Sequence, residues 1–321
     1  MRLVQGNLRG LAEGALMAAL CVVLGLAAYY VPVIGLAAAL TGPVPIVVAY
    51  LRQGPRVAFL AAVVAGILLA AFLGAIQGLV MGFAFGSMGL ALGMGFARRA
   101  AAFTTIMWAS LAVAAATALS LGLSFLFLHL SPASIIEDML QAYESAGQMW
   151  GRLGVPGMQE QARTMVAMMR EVLTLLWPAT FTGAFVAAAA INWAVARGIL
   201  RRLGYRVPDP TPFLEWRVPR WLVIPFLLGW AAMVAGPHYH LQWLYRVGAN
   251  VSMLLSLVMA AEGAAVGLSF LRRWLGGSAI PVLVAFLFLL PGVAWPLMVW
   301  LGVFDLLFDY RRLGSSGPGR G

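Results

Sequence analysis

Apolar runs of about 20 residues follow one another through almost the whole chain, with arginines at their ends. A run of that length crosses the roughly 30 Å hydrocarbon core as a helix, and lipid permits only helices and closed barrels to span it. Nine helices are expected, near 12–31, 34–51, 57–74, 77–97, 101–129, 172–197, 220–236, 248–271 and 279–300. The composition agrees: 62% of residues are hydrophobic, 10% are charged and the mean hydropathy is +0.91. A soluble domain carries about 25% charged residues. Residues 11–31 end without a small-x-small cleavage site and further spans follow at once, so this run reads as a retained first helix. The fold class is all-α: a polytopic integral membrane bundle.

All 21 basic residues are arginine. Without lysine the chain has neither a Walker A phosphate loop nor a Schiff-base nucleophile. The single cysteine, Cys21, excludes disulfides and cysteine-based metal sites within one chain. His129, His238 and His240 are too few and too scattered for a zincin motif, and GxSxG, HExxH and GxGD motifs are missing. No catalytic residue, metal or cofactor is therefore assigned, and an enzyme is not expected. The net charge of +10 comes from arginines at span ends, which points to topology and anionic headgroups and away from nucleic acid.

With the N-terminus inside, fourteen arginines of the first nine spans fall on the cytoplasmic side and four fall outside. Arg311, Arg312 and Arg320 fit that bias only if the chain returns before them. Pro291-Gly292 and Pro296 allow it, through two short helices or one kinked helix with an interfacial tail, and a cytoplasmic tail is expected.

Within 40–56, "LTGPVPIVVAYLRQGPR", Pro43 and Pro45 remove backbone donors inside the second span, and Arg52 marks its exit. Either the prolines make a packing kink, or Thr41, Gly42 and the Pro pair line something enclosed. Ala58, Ala62, Gly66, Ala70 and Gly74, then Gly78, Gly82 and Gly86, place small residues on one helical face at spacing four. Such stripes let backbones approach, within the chain or against another membrane subunit. The outer segment 131–171 reads as two amphipathic helices, the first with a capping box of Ser134 and Glu137, the second starting at Pro156 and rich in methionine. They lie in the interface or form a lid.

Glu262, in "VMAAEGAAVG", is the sharpest polar residue, because a carboxylate at mid-span is either functional or a hydrogen-bonded packing device. Asn192 and Gln77 are candidates of the same kind, and Tyr29 and Trp177 sit near the outer ends of spans; these five are the candidate ligand-binding residues. Asp305 and Asp309 are read as local partners of Arg311 and Arg312, and Glu13 as a charge at a helix start. In "PFLEWRVPRW" (212–221), Trp216 and Arg217 suit an interfacial anchor or a partner-binding elbow, with Glu215 available to either arginine.

"PVPIVVAYLRQGPRVAFLAAVVAGILLA" with "GLALGMGFARRA", "PFLEWRVPRWLV" and "LGVFDLLFDYRRL" resemble the bacterial YybS-like membrane proteins over nearly the whole chain. The first half is similar to the S components of energy-coupling factor vitamin transporters, six-helix proteins with both termini inside. That resemblance implies an S-component-like bundle at 1–200, followed by a linker and three or four further membrane helices at 201–321, in the bacterial inner membrane. It implies a small-molecule ligand near the outer side and ATPase and transmembrane partner subunits that supply energy. Ala15 and Ala19 match the family's Ala-x-x-x-Ala docking pattern, and with Gly78, Gly82, Gly86, Trp216 and Arg217 they are the candidate partner surface. Three or more spans after residue 200 depart from ordinary S components. A non-transporting scaffold or regulatory membrane protein therefore stands beside the transport reading.

Overall fold

The computed structural model describes residues 2–128, 132–152, 157–210 and 212–311. Thirteen α-helices run through the described residues: α1 (Arg2–Tyr30), α2 (Pro32–Thr41), α3 (Val44–Gln53), α4 (Pro55–Leu73), α5 (Ala75–Ala97), α6 (Ala102–Leu128), α7 (Pro132–Arg152), α8 (Met158–Leu175), α9 (Trp177–Arg202), α10 (Val223–His238), α11 (Gln242–Leu275), α12 (Ala279–Leu289) and α13 (Pro291–Phe308). Eight stretches are long and apolar enough to cross a membrane, and Gly292–Phe308 is a shorter apolar helix. The protein is a multi-pass, all-α membrane protein. The chain falls into two compact units, Met1–Val166 with Ala184–Pro210, and Ala167–Gly183 with Thr211–Gly321.

In the first unit, α4 lies against α5, α1 against α4, α3 against α5 and α5 against α6. Glycines set the spacing of α4 and α5. A Cβ on Gly86 would touch Ala62, one on Gly82 would touch Gly66, and one on Gly78 would run into the backbone of Leu69 and Ala70. The small-residue stripes are thus in use inside the bundle, where they bring two backbones together. The second span answers the question its prolines raise. Gly42 and Pro43 both keep right-handed helical dihedrals, so α2 and α3 are separated by missing hydrogen bonds rather than by a change of course. The freed region is covered by protein: Gly42 faces the ring of Phe85, Gly89 faces Pro43 and Ile46, and residues 42–49 are buried. The Thr41 hydroxyl donates to the Ala37 and Ala38 carbonyls at 2.8 and 3.2 Å. The turn back into α4 is made at Gly54, with a φ of +86°, followed by Pro55 at the first helical position.

Further along the first unit, Trp193 of α9 stacks on Phe96 of α5 at 6.2 Å between ring centroids. The segment after α9 folds back on it, with Arg197 paired to Asp209 and donating from Nε to the Pro208 carbonyl at 3.1 Å. Helix α7 begins at Pro132, which suits a first helical position, so Ser134 lies inside the first turn and is not the N-cap. Pro156 and His129 lie outside the described residues.

In the second unit, α10 and α11 form a hairpin with close backbone contacts at Gly229, Gly236 and Gly248. Helices α11 and α13 meet at Gly263 and Gly302, where an added Cβ would strike the carbonyls of Met298 and Met259 respectively. Between them, α12 has only 11 residues, about 16 Å of helix, which cannot cross a bilayer core. The break at Leu290 gives two helices, and Pro291 opens the second. At the end of α13, Arg311 donates to the carbonyls of Leu214 and Trp216, so the last described residue lies beside the 212–216 segment.

Candidate functional site: a buried charge cluster and an aromatic cleft

Glu262 stands in the middle of α11 with its side chain fully buried, and Arg311 and Asp305 are 3% and 1% exposed. Local geometry brings Arg311 in. Asp309 ends α13 in the left-handed conformation, which aspartate tolerates better than most residues, and its N–H donates to the Asp305 carbonyl at 2.8 Å. The chain doubles back and every guanidinium donor of Arg311 finds an acceptor. Nε reaches Asp305 Oδ2 at 3.0 Å, and Nη2 reaches that same oxygen at 2.8 Å and Glu262 Oε1. Nη1 donates to Leu214 O at 2.9 Å and Trp216 O at 3.1 Å. Glu262 Oε2 accepts the Val218 N–H at 3.2 Å. A second layer joins Asp309 to Arg217 at 3.1 Å and to Arg220 at 3.6 Å.

Three carboxylates and three guanidiniums thus balance in one cluster. It fastens the 212–220 segment to α11 and α13. A buried pair of this kind tolerates low dielectric only because hydrogen bonds complete it.

Helices α11 and α13, together with α10, also border a cleft of about 360 Å3. Trp230, Tyr245, Trp295 and Trp300 contribute rings to its wall, with Met233 and Met253 beside them. Trp300 lies 6.3 Å from Trp230 and 6.1 Å from Phe226 between centroids. Ser252 also lines the cleft; it is buried against Gly229, and its hydroxyl has no hydrogen-bond partner among the described residues. Nearby, Asn250 ties α11 to the start of α9: its Oδ1 accepts the Ala179 N–H at 3.0 Å and its Nδ2 donates to Leu175 O at 2.8 Å. A row of rings, Trp300, Phe304, Phe308 and Tyr310, runs along α13 from the cleft to the residue before Arg311.

Residues 19–306 match the family described as "Predicted membrane protein (DUF2232)". The chain belongs to that family. It is 24% identical over 325 residues to the "Uncharacterized protein YybS" of Bacillus subtilis (strain 168), across 95% of this chain and 98% of that protein. No solved structure matches.

In this DUF2232 chain the candidates named from the sequence are dispersed. Glu262 joins Asp305 and Arg311, which the sequence paired with each other but not with Glu262. Asn192 is buried in the first unit, where Nδ2 donates to Ala188 O of its own helix at 2.9 Å and Oδ1 has no partner among the described residues. Gln77, Tyr29 and Trp177 are exposed, the last just after Leu175 and Leu176, which border the cleft. Ala15 and Ala19 are exposed on α1, whereas Gly78, Gly82 and Gly86 are buried against α4. Trp216 and Arg217 are engaged by Arg311 and Asp309. Glu215 is exposed, and the two arginines offered to it pair with Asp309. Arg312 lies outside the described residues. Glu13 lies well inside α1, which begins at Arg2, and accepts a hydrogen bond from Gln53 at 2.7 Å, with Arg52 at 3.8 Å.

The cleft is not among the features expected from the sequence. Its signal was there: Phe226 with Trp230, and Trp300 with Phe304 and Phe308, put large rings four residues apart on their helices.

Proposed function

We propose that this protein is a small-molecule-binding membrane subunit and that the cleft between α10, α11 and α13 holds its ligand. The observation that carries this reading is the set of rings of Trp230, Trp295 and Trp300 around about 360 Å3, with one unpartnered hydroxyl, Ser252, in the wall. Ligand sites are concave, mainly apolar and aromatic, and carry a few polar groups that fix orientation. Among the described residues the lining carries no charged side chain, so the ligand is an uncharged molecule with a flat or apolar body and a group that hydrogen-bonds a serine.

Any energy for movement comes from outside the chain, because a protein without lysine has no Walker A site. The resemblance of its first half to S components supports a transport-related role, with ATPase and transmembrane partners supplying that energy. The arginine bias supports a cytoplasmic N-terminus in an inner membrane, and the position of Arg311 beside the arginine-rich 212–220 segment agrees with a chain end on the same side. No step of catalysis is part of this reading.

The scaffold reading is favoured by a different observation. Glu262 gives both oxygens to Arg311 and Val218, which is the chemistry of a fastener. Extraction in mild detergent, followed by mass analysis of the small molecules released on denaturation, separates the two. A ligand-binding subunit releases a non-lipid compound that is lost in Ser256→Phe, a substitution that fills the cleft. A scaffold releases only lipids and is extracted with another membrane protein.

A further inference from the structure

The first unit carries a separate apolar groove of about 310 Å3 between α4 and α5. Phe59, Val63 and Ile67 form one wall, Phe83 and Leu90 stand on the other, and Gly66 and Gly82 form the floor. The contacts Gly86 to Ala62 and Gly82 to Gly66 make the two helices antiparallel, so the start of α4 and the end of α5 lie at one end of the groove. Helical spacing continues the first wall back from Phe59 to Arg56, and the second forward from Leu90 to Arg98. Arg56, Arg98 and Arg99 are exposed, and among the described residues none of them is ion-paired with a carboxylate. The Arg98 guanidinium lies over the Trp108 ring at 5.8 Å, which leaves its edge donors available.

We propose that this groove is a binding site for one anionic phospholipid, with an acyl chain along the glycine floor and the phosphate at the level of Arg56 and Arg98. Charge complementarity selects this occupant. Guanidiniums prefer phosphate oxygens, and a phospholipid brings its phosphate to the depth at which these helices end. A helix of another protein would have to supply carboxylates at that one depth. The site belongs to the first unit and does not depend on the function proposed for the aromatic cleft of the second.

The test uses the whole chain equilibrated with vesicles of equimolar phosphatidylcholine and phosphatidylglycerol of matched acyl chains, then native mass spectrometry of retained lipid. One phosphatidylglycerol is expected to be kept in preference to phosphatidylcholine by at least about tenfold. Arg56→Gln with Arg98→Gln should bring that ratio close to one. Val63→Trp should remove the retained lipid by filling the groove. Arg201→Gln with Arg202→Gln, which removes two arginines elsewhere, should leave the ratio unchanged. Equal retention of the two lipids by the unaltered protein, or a preference that survives loss of Arg56 and Arg98, would overturn the proposal. A polypeptide retained in place of lipid and lost in Val63→Trp would overturn it in favour of a partner helix. If Val63→Trp fails to fold, the double arginine variant decides alone, since both positions are on the surface.

Discussion

Arg311 and Glu262, 49 positions apart, form a buried ion pair that joins the end of α13 to the middle of α11. Asp305 shares the same guanidinium, and the carbonyls of Leu214 and Trp216 complete it. Three separate stretches of sequence therefore depend on one side chain.

Arg311→Met is expected to be the most damaging change in the cluster. It strands two buried carboxylates, and breaking such a pair from one side costs about 3–5 kcal/mol. Glu262→Gln keeps the shape and leaves Arg311 paired with Asp305, so a loss of about 1–3 kcal/mol is expected. Unfolding followed by tryptophan emission in one detergent measures both. An Arg311→Met protein as stable as the unaltered one would contradict the assignment of the cluster as a fastener.

Gly263→Ala should destabilise the second unit by about 1–3 kcal/mol or more, because the methyl group meets the Met298 carbonyl and α13 must move. One turn further along α11, Gly267 has its nearest neighbour at 3.7 Å, the flexible end of Met298. Gly267→Ala should be neutral or slightly stabilising, since alanine is the better helix former. The contrast between the two, read as melting temperatures, checks the crossing of α11 and α13.

Asp309→Asn should release Arg217 and Arg220 from the second layer of the cluster. Limited trypsin digestion in detergent should then cut after these arginines several-fold faster, while Arg201 and Arg202 are cut at the unaltered rate. Unchanged cleavage at 217 and 220 would mean that the segment is held by Arg311 alone.

Spans were legible because length and hydropathy decide them without reference to neighbours. The first eight expected spans have counterparts in the structure, the ninth is broken at Leu290 into α12 and α13, and the second span is interrupted at Pro43 as its prolines suggest. The last span was ambiguous for a physical reason. Pro291 and Pro296 both permit a break, and only the return of Arg311 to Leu214 and Trp216, 97 and 95 positions away, decides its course. Glu262 was legible as a polar residue that needs a partner, but its partner was not, since helical periodicity fixes the face of α11 and not which helix covers it. The cleft was hidden for the same reason: Trp230 and Trp300 are 70 positions apart in the chain and meet only once α10 and α13 are packed.

Ser252→Ala separates fold from function in the cleft. The buried hydroxyl has no partner among the described residues, so its removal should leave stability unchanged or raise it by up to about 1–3 kcal/mol. Retention of the extracted ligand should fall all the same. A large loss of stability would show that Ser252 holds α10 and α11 together at Gly229, and would remove it from the site.

The most direct measurement is electron cryomicroscopy of the full chain in lipid nanodiscs, taken to a resolution that separates ring planes. The account predicts compact density between Trp230, Trp295 and Trp300, within reach of the Ser252 hydroxyl and discontinuous with the surrounding lipid. Acyl-chain density running unbroken from the bilayer into the cleft, or tryptophan rings closed on one another with no space between them, would contradict it.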